Sequence, residues 1–206
     1  MASDTRERIL DAAQRLFYEQ GFVGTGIATI LREADVHSGS LYHAFENKES
    51  LLLAVLELYR DNLRQVVLDP VEAKQTDPIE RIFDLLAWYR GGMESMGCRL
   101  GCPVGNLALE VSDTYPAAKP LLHANFEGWA DGILTWLNEA GDRLPVWCDR
   151  RGLSRLILSI MEGGLMQARA QGSLEAFDAG VGQLRSYIDL LQSHGATGAP
   201  HPGAKP

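Results

Sequence analysis

Between Gly21 and Leu51 the sequence GFVGTGIATILREADVHSGSLYHAFENKESL gathers Ser38, Gly39, Ser40, Tyr42 and His43, with Thr25 before them and Lys48 after. Hydroxyls, a phenol, an imidazole and an ammonium are donors suited to phosphate oxygens and base edges. Ile27, Ile30, Val36, Leu41 and Phe45 can all turn inward, which leaves the small and polar residues on the outer side of a short helix. A helix that enters the major groove needs small residues at its amino end for close approach, and donors that reach the duplex. The free N–H groups of that end also attract a phosphate. Spacing alone leaves a second reading open, in which these are two ordinary bundle helices and Tyr42 and His43 are plain surface residues.

The elements that must position these residues read as helices throughout. Ile9, Ala13, Leu16 and Phe17 recur at helical spacing, opened by Asp4 with Glu7 and closed at Gly21. A short helix is predicted over 27–34, then a turn at Asp35-Val36-His37, then a second short helix with Ser38 as its N-cap and its end near Phe45. Asn47 can cap a fourth helix running to about Leu68, and 69–76 reads as a connection. Asp77-Pro78 with Glu80 starts a further helix, interrupted by glycines between Gly97 and Gly105. Helices follow over about 104–111, 116–140, 151–170 and 174–192. The expected class is all-α: a helix-turn-helix domain over 1–50, a helical domain over 51–193, and a disordered tail over 194–206, where glycine, proline and alanine leave almost nothing to bury.

Bulk composition narrows the function classes. A net charge of −8 excludes a protein that coats nucleic acid without regard to sequence, because such binding draws its affinity from many basic residues. The first sixty residues are themselves acidic, with six Lys and Arg against nine Asp and Glu, so any DNA contact must be local. The opening MASDTRERIL turns charged and amphipathic at once and no apolar run reaches membrane length, so a cytoplasmic protein without a membrane partner is expected. Cys98, Cys102 and Cys148 are an odd number, which speaks against a disulfide framework. There is no phosphate-cradling glycine loop, no His-Glu-x-x-His and no nucleophile with a local base, so neither an enzyme nor a cofactor or metal is expected.

The first sixty residues resemble the TetR/AcrR family of transcriptional regulators. The resemblance is carried by Gly21-Phe22, Thr25, Gly39-Ser40-Leu41-Tyr42 and the run from Phe45 to Leu51. It implies that Thr25, Tyr42 and Lys48 hold backbone phosphates while Ser38, Gly39, Ser40 and His43 lie toward base edges of double-stranded operator DNA. Leu31 stands where the family has a small alanine, and Asp35 where it has glycine in the turn; Asp tolerates a left-handed backbone better than most residues. The resemblance further implies a homodimer paired through the last two helices, and repression relieved by a small-molecule effector bound in the second domain.

The last two predicted helices carry apolar stripes suited to such pairing or to packing within one subunit: Leu153, Leu156, Ile157, Ile160, Met161 and Leu165 on one, Leu174, Phe177, Val181, Leu184, Ile188 and Leu191 on the other. Gly163-Gly164 and Gly180-x-Gly182 would let helices approach closely. Cys102, Gly105, Asn106 and Leu107 match an element found in a group within the family, and the Asn amide could orient a ligand. A helix cap at a tight corner accounts for the same residues equally well. Trp88, Met93, His123, Phe126 and Trp129 could line an apolar cavity or belong to an ordinary core. Cys98 and Cys102 lie four apart, but Pro103 and the glycines argue against the regular helix that a thiol pair would need, so buried inert thiols are expected.

Overall fold

The computed structural model describes residues 2–197. Its regular structure is helical, with no strand among the described residues: α1 (Ala2–Gln20), α2 (Ile27–Ala34), α3 (Ser38–Ala44), α4 (Lys48–Leu63), α5 (Asp69–Lys74), α6 (Pro78–Ser95), α7 (Pro103–Val111), α8 (Lys119–Glu139), α9 (Arg150–Gln171) and α10 (Glu175–Thr197). Two compact units form out of chain order. One comprises the described residues of Met1–Asn62 and Cys102–Phe126, the other those of Leu63–Gly101 and Glu127–Pro206. None of the helices is long and apolar enough to cross a membrane.

In the first unit α1 packs against α2, α3 and α7. Its stripe of Ile9, Ala13, Leu16 and Phe17 is buried, as are Phe22, Ile30, Leu41 and Phe45, and each of the Ile, Leu and Phe side chains removed from water stabilises the unit by about 1.5–3 kcal/mol. Ile27 and Val36 are only half-buried, at the rim of this core. Gly21 ends α1 at φ +79°, its N–H donating to the Phe17 carbonyl at 3.0 Å. α1 itself starts ahead of Asp4, at Ala2. Asp35 takes the left-handed conformation, φ +50°, at the end of α2, so the turn keeps its path without the family's glycine. The N-cap of α3 falls on His37 rather than on the predicted Ser38, because the extended backbone (φ −82°, ψ 155°) lies one residue earlier. Asn47 and Ser50 form a reciprocal cap on α4: Asn47 Oδ1 accepts the Ser50 N–H at 2.8 Å and Ser50 Oγ accepts the Asn47 N–H at 3.2 Å.

In the second unit a π-helical turn over Arg64–Leu68 leads straight into α5, where a connection was expected. Pro70 lies in the first turn of α5. Val67, Leu68 and Val71 are buried, and Arg64 pairs with Asp69 at 3.1 Å and Glu72 at 2.7 Å, so packing and charge hold a helix that a window of polar residues did not reveal. Asp77 caps α6, accepting the N–H groups of Ile79 at 2.8 Å and Glu80 at 3.2 Å. α9 and α10 pack along each other, and a side chain at Gly164 would come within 2.8 Å of the Phe177 ring. α10 continues through His194 to Thr197, past the predicted start of the tail; the rest of that tail, 198–206, lies outside the described residues.

Candidate nucleic-acid interface

α3 is amphipathic over barely two turns. Leu41 is fully buried, while Ser38, Gly39 and His43 are exposed, Ser40 is half-buried and the Tyr42 ring is 58% exposed. All of these belong to the first unit, together with Thr25 and Lys48. Ser38 and Tyr42, and likewise Gly39 and His43, are four apart and therefore share a side of the helix. The outward surface combines two hydroxyls, a phenol and an imidazole around a glycine, without a bulky aliphatic residue to hold a duplex away. An added Cβ at Gly39 would meet nothing within 4 Å, so the space in front of α3 is open.

Thr25 behaves differently from its predicted role. Its residue is fully buried and its single hydroxyl hydrogen is shared between the carbonyls of Gly21 at 2.7 Å and Leu16 at 3.2 Å. The donor expected to hold a phosphate is committed to the end of α1, and the residue serves to fix the turn before α2. Lys48 opens α4 and reaches back to the same turn. Its ammonium donates to the Phe22 carbonyl and lies 4.2 Å from the centroid of the Phe22 ring. Burial pushes this ammonium below the usual lysine range, against the opposing pull of the Glu110 carboxylate.

The turn is clamped from two more directions that short-range sequence patterns did not reveal. The Glu110 carboxylate of α7 accepts the backbone N–H of Phe22 at 2.8 Å and of Val23 at 2.7 Å. Phe22 also sits edge-on between Phe17, at 5.2 Å, and Tyr115, at 4.9 Å. On the other side of the motif Arg8 donates to the carbonyls of Ala34 and, at 2.7 Å, of Asp35, and pairs with the Asp35 carboxylate at 3.4 Å. Arg8 thus secures the left-handed turn into α3. Tyr59 ties α4 to α1 by a side-chain bond with Gln14, and burial raises its phenol above the usual tyrosine range. These partners lie far apart in the chain, which hid them from local patterns.

The predicted ligand residues are divided between the two units. Trp88, Met93 and Trp129 belong to the second unit. Met93 and Trp129 are buried there, but Trp88 is 44% exposed with its ring edge against Tyr89, so it faces outward rather than into an interior. Cys102, Asn106, His123 and Phe126 belong to the first unit. Cys102 caps α7, its Sγ accepting the Gly105 N–H at 3.4 Å, and Asn106 donates its backbone N–H to the Cys102 carbonyl at 2.9 Å. The cap-and-corner account of this element is therefore realised. Asn106 and Phe126 are half-buried and His123 is exposed. Cys102 is buried as expected, whereas Cys98 is half-buried and left-handed at φ +58°.

One buried polar residue escaped the sequence reading. Asn125 donates to the carbonyls of Leu56 and Leu121, each at 2.9 Å, joining α8 to α4 within the first unit. In the second unit an open hollow of about 380 Å³ lies among Leu144, Pro145, Val146, Arg150 and His194, and none of the predicted ligand residues lines it.

Comparison with known proteins agrees with this architecture. Residues 9–55 match the family model described as bacterial regulatory proteins, tetR family, and residues 78–182 match that described as transcriptional regulator LmrA/YxaF-like, C-terminal domain. The HTH-type transcriptional regulator LmrA of Bacillus subtilis is 31% identical over 174 residues, covering 79% of this chain and 85% of that protein. The HTH-type transcriptional repressor NemR of Escherichia coli is 24% identical over 191 residues, covering 90% and 94%. A TetR transcriptional regulator from Chloroflexus aurantiacus superimposes with a TM-score of 0.79 at 28% identity, covering 91% of this chain and 96% of that one.

Proposed function

The chain belongs to the tetR family of bacterial regulatory proteins, and from that premise we propose that it is a repressor whose α3 enters the major groove of a near-palindromic operator. It is a transcriptional regulator and not an enzyme. The observation that carries the reading is the split of α3 between a fully buried Leu41 and a largely exposed Tyr42, which anchors the helix and leaves a slim polar face outward. Ser38, Gly39, Ser40 and His43 approach base edges in this reading, and Tyr42 holds a backbone phosphate. Lys48 has one of its three donors on the Phe22 carbonyl and turns the others to a phosphate. Thr25 contributes by holding the turn rather than by touching DNA.

Two such helices are needed to read a palindrome, and the outer surfaces of α9 and α10 suit a homodimer. Leu156, Met166, Tyr187 and Leu190 are exposed on them, at 44%, 57%, 44% and 53%. Gly163, seven residues after Leu156, has open space where a side chain would stand, so another helix can approach there. A small-molecule effector bound among the helices after residue 50 then favours a dimer whose recognition helices no longer match the half-site spacing. Footprinting on the DNA flanking the gene tests the reading. Protection of a near-palindrome with half-sites one helical turn apart, or a multiple of it, is expected. An absence of protection at low salt removes the proposal.

A further inference from the structure

We propose that His37 joins His43 as a DNA-contacting side chain, and that the two imidazoles make operator binding proton-linked, tightening as the pH falls. The inference rests on α3 being the groove-entering helix. Its starting point is charge. α3 holds no lysine or arginine, and the whole protein carries a net charge of −8. The fixed cations of the first sixty residues are largely engaged elsewhere. Arg8 is bound to Ala34 and Asp35, Arg15 to Glu33 and Arg60 to Asp61, Arg6 lies over the Phe45 ring at 4.9 Å, and Lys48, beyond α3, shares its ammonium between the Phe22 carbonyl and the phosphate already assigned to it. Arg32 is exposed near the end of α2.

What α3 presents instead are two exposed histidines, His37 immediately before its first turn and His43 in its last. Groove-reading helices approach bases with their amino-terminal residues, which places His37 at the approaching end. The charged groups on the packed elements are Asp4, Arg6, Glu7, Arg8, Asp11, Arg15 and Glu19 of α1, then Arg32, Glu33 and Asp35 around the first turn, and Glu46, Lys48 and Glu49 after α3. Of these, Glu33 and Asp35 already have arginine partners. A phosphate facing an imidazole favours its charged form, so the group titrates higher in the complex than in the free protein. Binding then takes up protons. The gain in affinity is complete below the titration of the free protein and fades as the pH rises through that of the complex.

The test measures fluorescence anisotropy on a labelled duplex that the wild-type protein selects from random-sequence DNA at about pH 6. Binding of the wild type should tighten about tenfold or more between about pH 8 and about pH 6, since each unit of pK coupling is worth tenfold. His37→Gln and His43→Gln should each lose part of this response, and the double variant should lose nearly all of it. Both positions are exposed, so thermal unfolding should stay unchanged and exclude a folding defect. A His37→Gln protein with the full wild-type response overturns the role of His37, and an undiminished response in the double variant overturns the proton linkage. If no sequence is selected at either pH, the operator-binding reading falls first and takes this one with it.

Discussion

Glu110 accepts the backbone N–H of Val23 at 2.7 Å with one carboxylate oxygen and that of Phe22 at 2.8 Å with the other, so α7 holds the turn between α1 and α2 by a single side chain. The fit is close: a Cβ on Gly21 would stand 3.0 Å from the same carboxylate. Glu110→Ala leaves both donors to water or to nothing, and hydrogen bonds to a charged group are worth about 1.5–3 kcal/mol each when well formed. Because the Val23 side is exposed, a total loss of about 2 kcal/mol is expected in urea denaturation, with weaker operator binding. Glu110→Gln, which keeps one acceptor, should fall between. Unchanged stability in both variants would show that the clamp contributes nothing.

Arg8 secures the other end of the motif. Arg8→Ala should cost about 1–2 kcal/mol of stability through its two carbonyl bonds, with little from the ion pair, since the Asp35 carboxylate is fully exposed. At Asp35 itself, φ +50° predicts that Asp35→Gly is tolerated or mildly stabilising, whereas Asp35→Val costs about 1–2 kcal/mol. Thermal unfolding of the three variants checks the ordering.

Local chemistry made the helix-turn-helix legible in the sequence. The stripe from Ile9 to Phe17, the stop at Gly21, the Asn47 cap and the buried Leu41 beside an exposed Tyr42 all follow from residue types a few positions apart. What escaped depends on distance along the chain. Glu110 meets Phe22 across 88 residues and Arg8 meets Ala34 across 26, and no local period records either pairing. α5 is hidden in the sequence because its stability comes from burying Val71 and from the charge pairs of Arg64, not from a long apolar stripe. The direction of the Thr25 hydroxyl is not legible in the sequence, because a hydroxyl between two helices can point outward or back to Leu16 and Gly21, and only packing decides. Trp88, which its type and spacing allow either in a cavity wall or in an ordinary core, is 44% exposed, and residue type alone does not distinguish these placements.

Lys48→Ala separates the two duties assigned to that side chain. Losing a phosphate contact should lower the salt slope of operator binding by roughly 0.9 per subunit and weaken all sequences alike. Losing the bond to the Phe22 carbonyl should also cost about 1 kcal/mol of stability. A stability loss with an unchanged salt slope would restrict Lys48 to holding the turn.

Asp77 gives the second unit a pH dependence. Desolvation works to raise its carboxyl, but Arg143, 2.7 Å away, and the N–H groups of Glu80 and Ile79 together hold it below the usual range. A depressed carboxylate contributes stability that is complete above its unfolded value, about 3.9, and is lost as the pH falls through the lower folded value. Asp77→Ala should lower the melting temperature at neutral pH, with about 1 kcal/mol from the lost cap. The difference from wild type should shrink toward about pH 3. A gap that stays constant with pH would contradict this assignment.

The entry of α3 into the major groove is tested most directly by methylation interference at guanine N7 on the protected DNA, because that atom lies on the major-groove edge. The account predicts interference at guanines within both half-sites, with the pattern altered at particular positions by His43→Ala and Ser40→Ala. Full binding to DNA methylated throughout the protected region would contradict it.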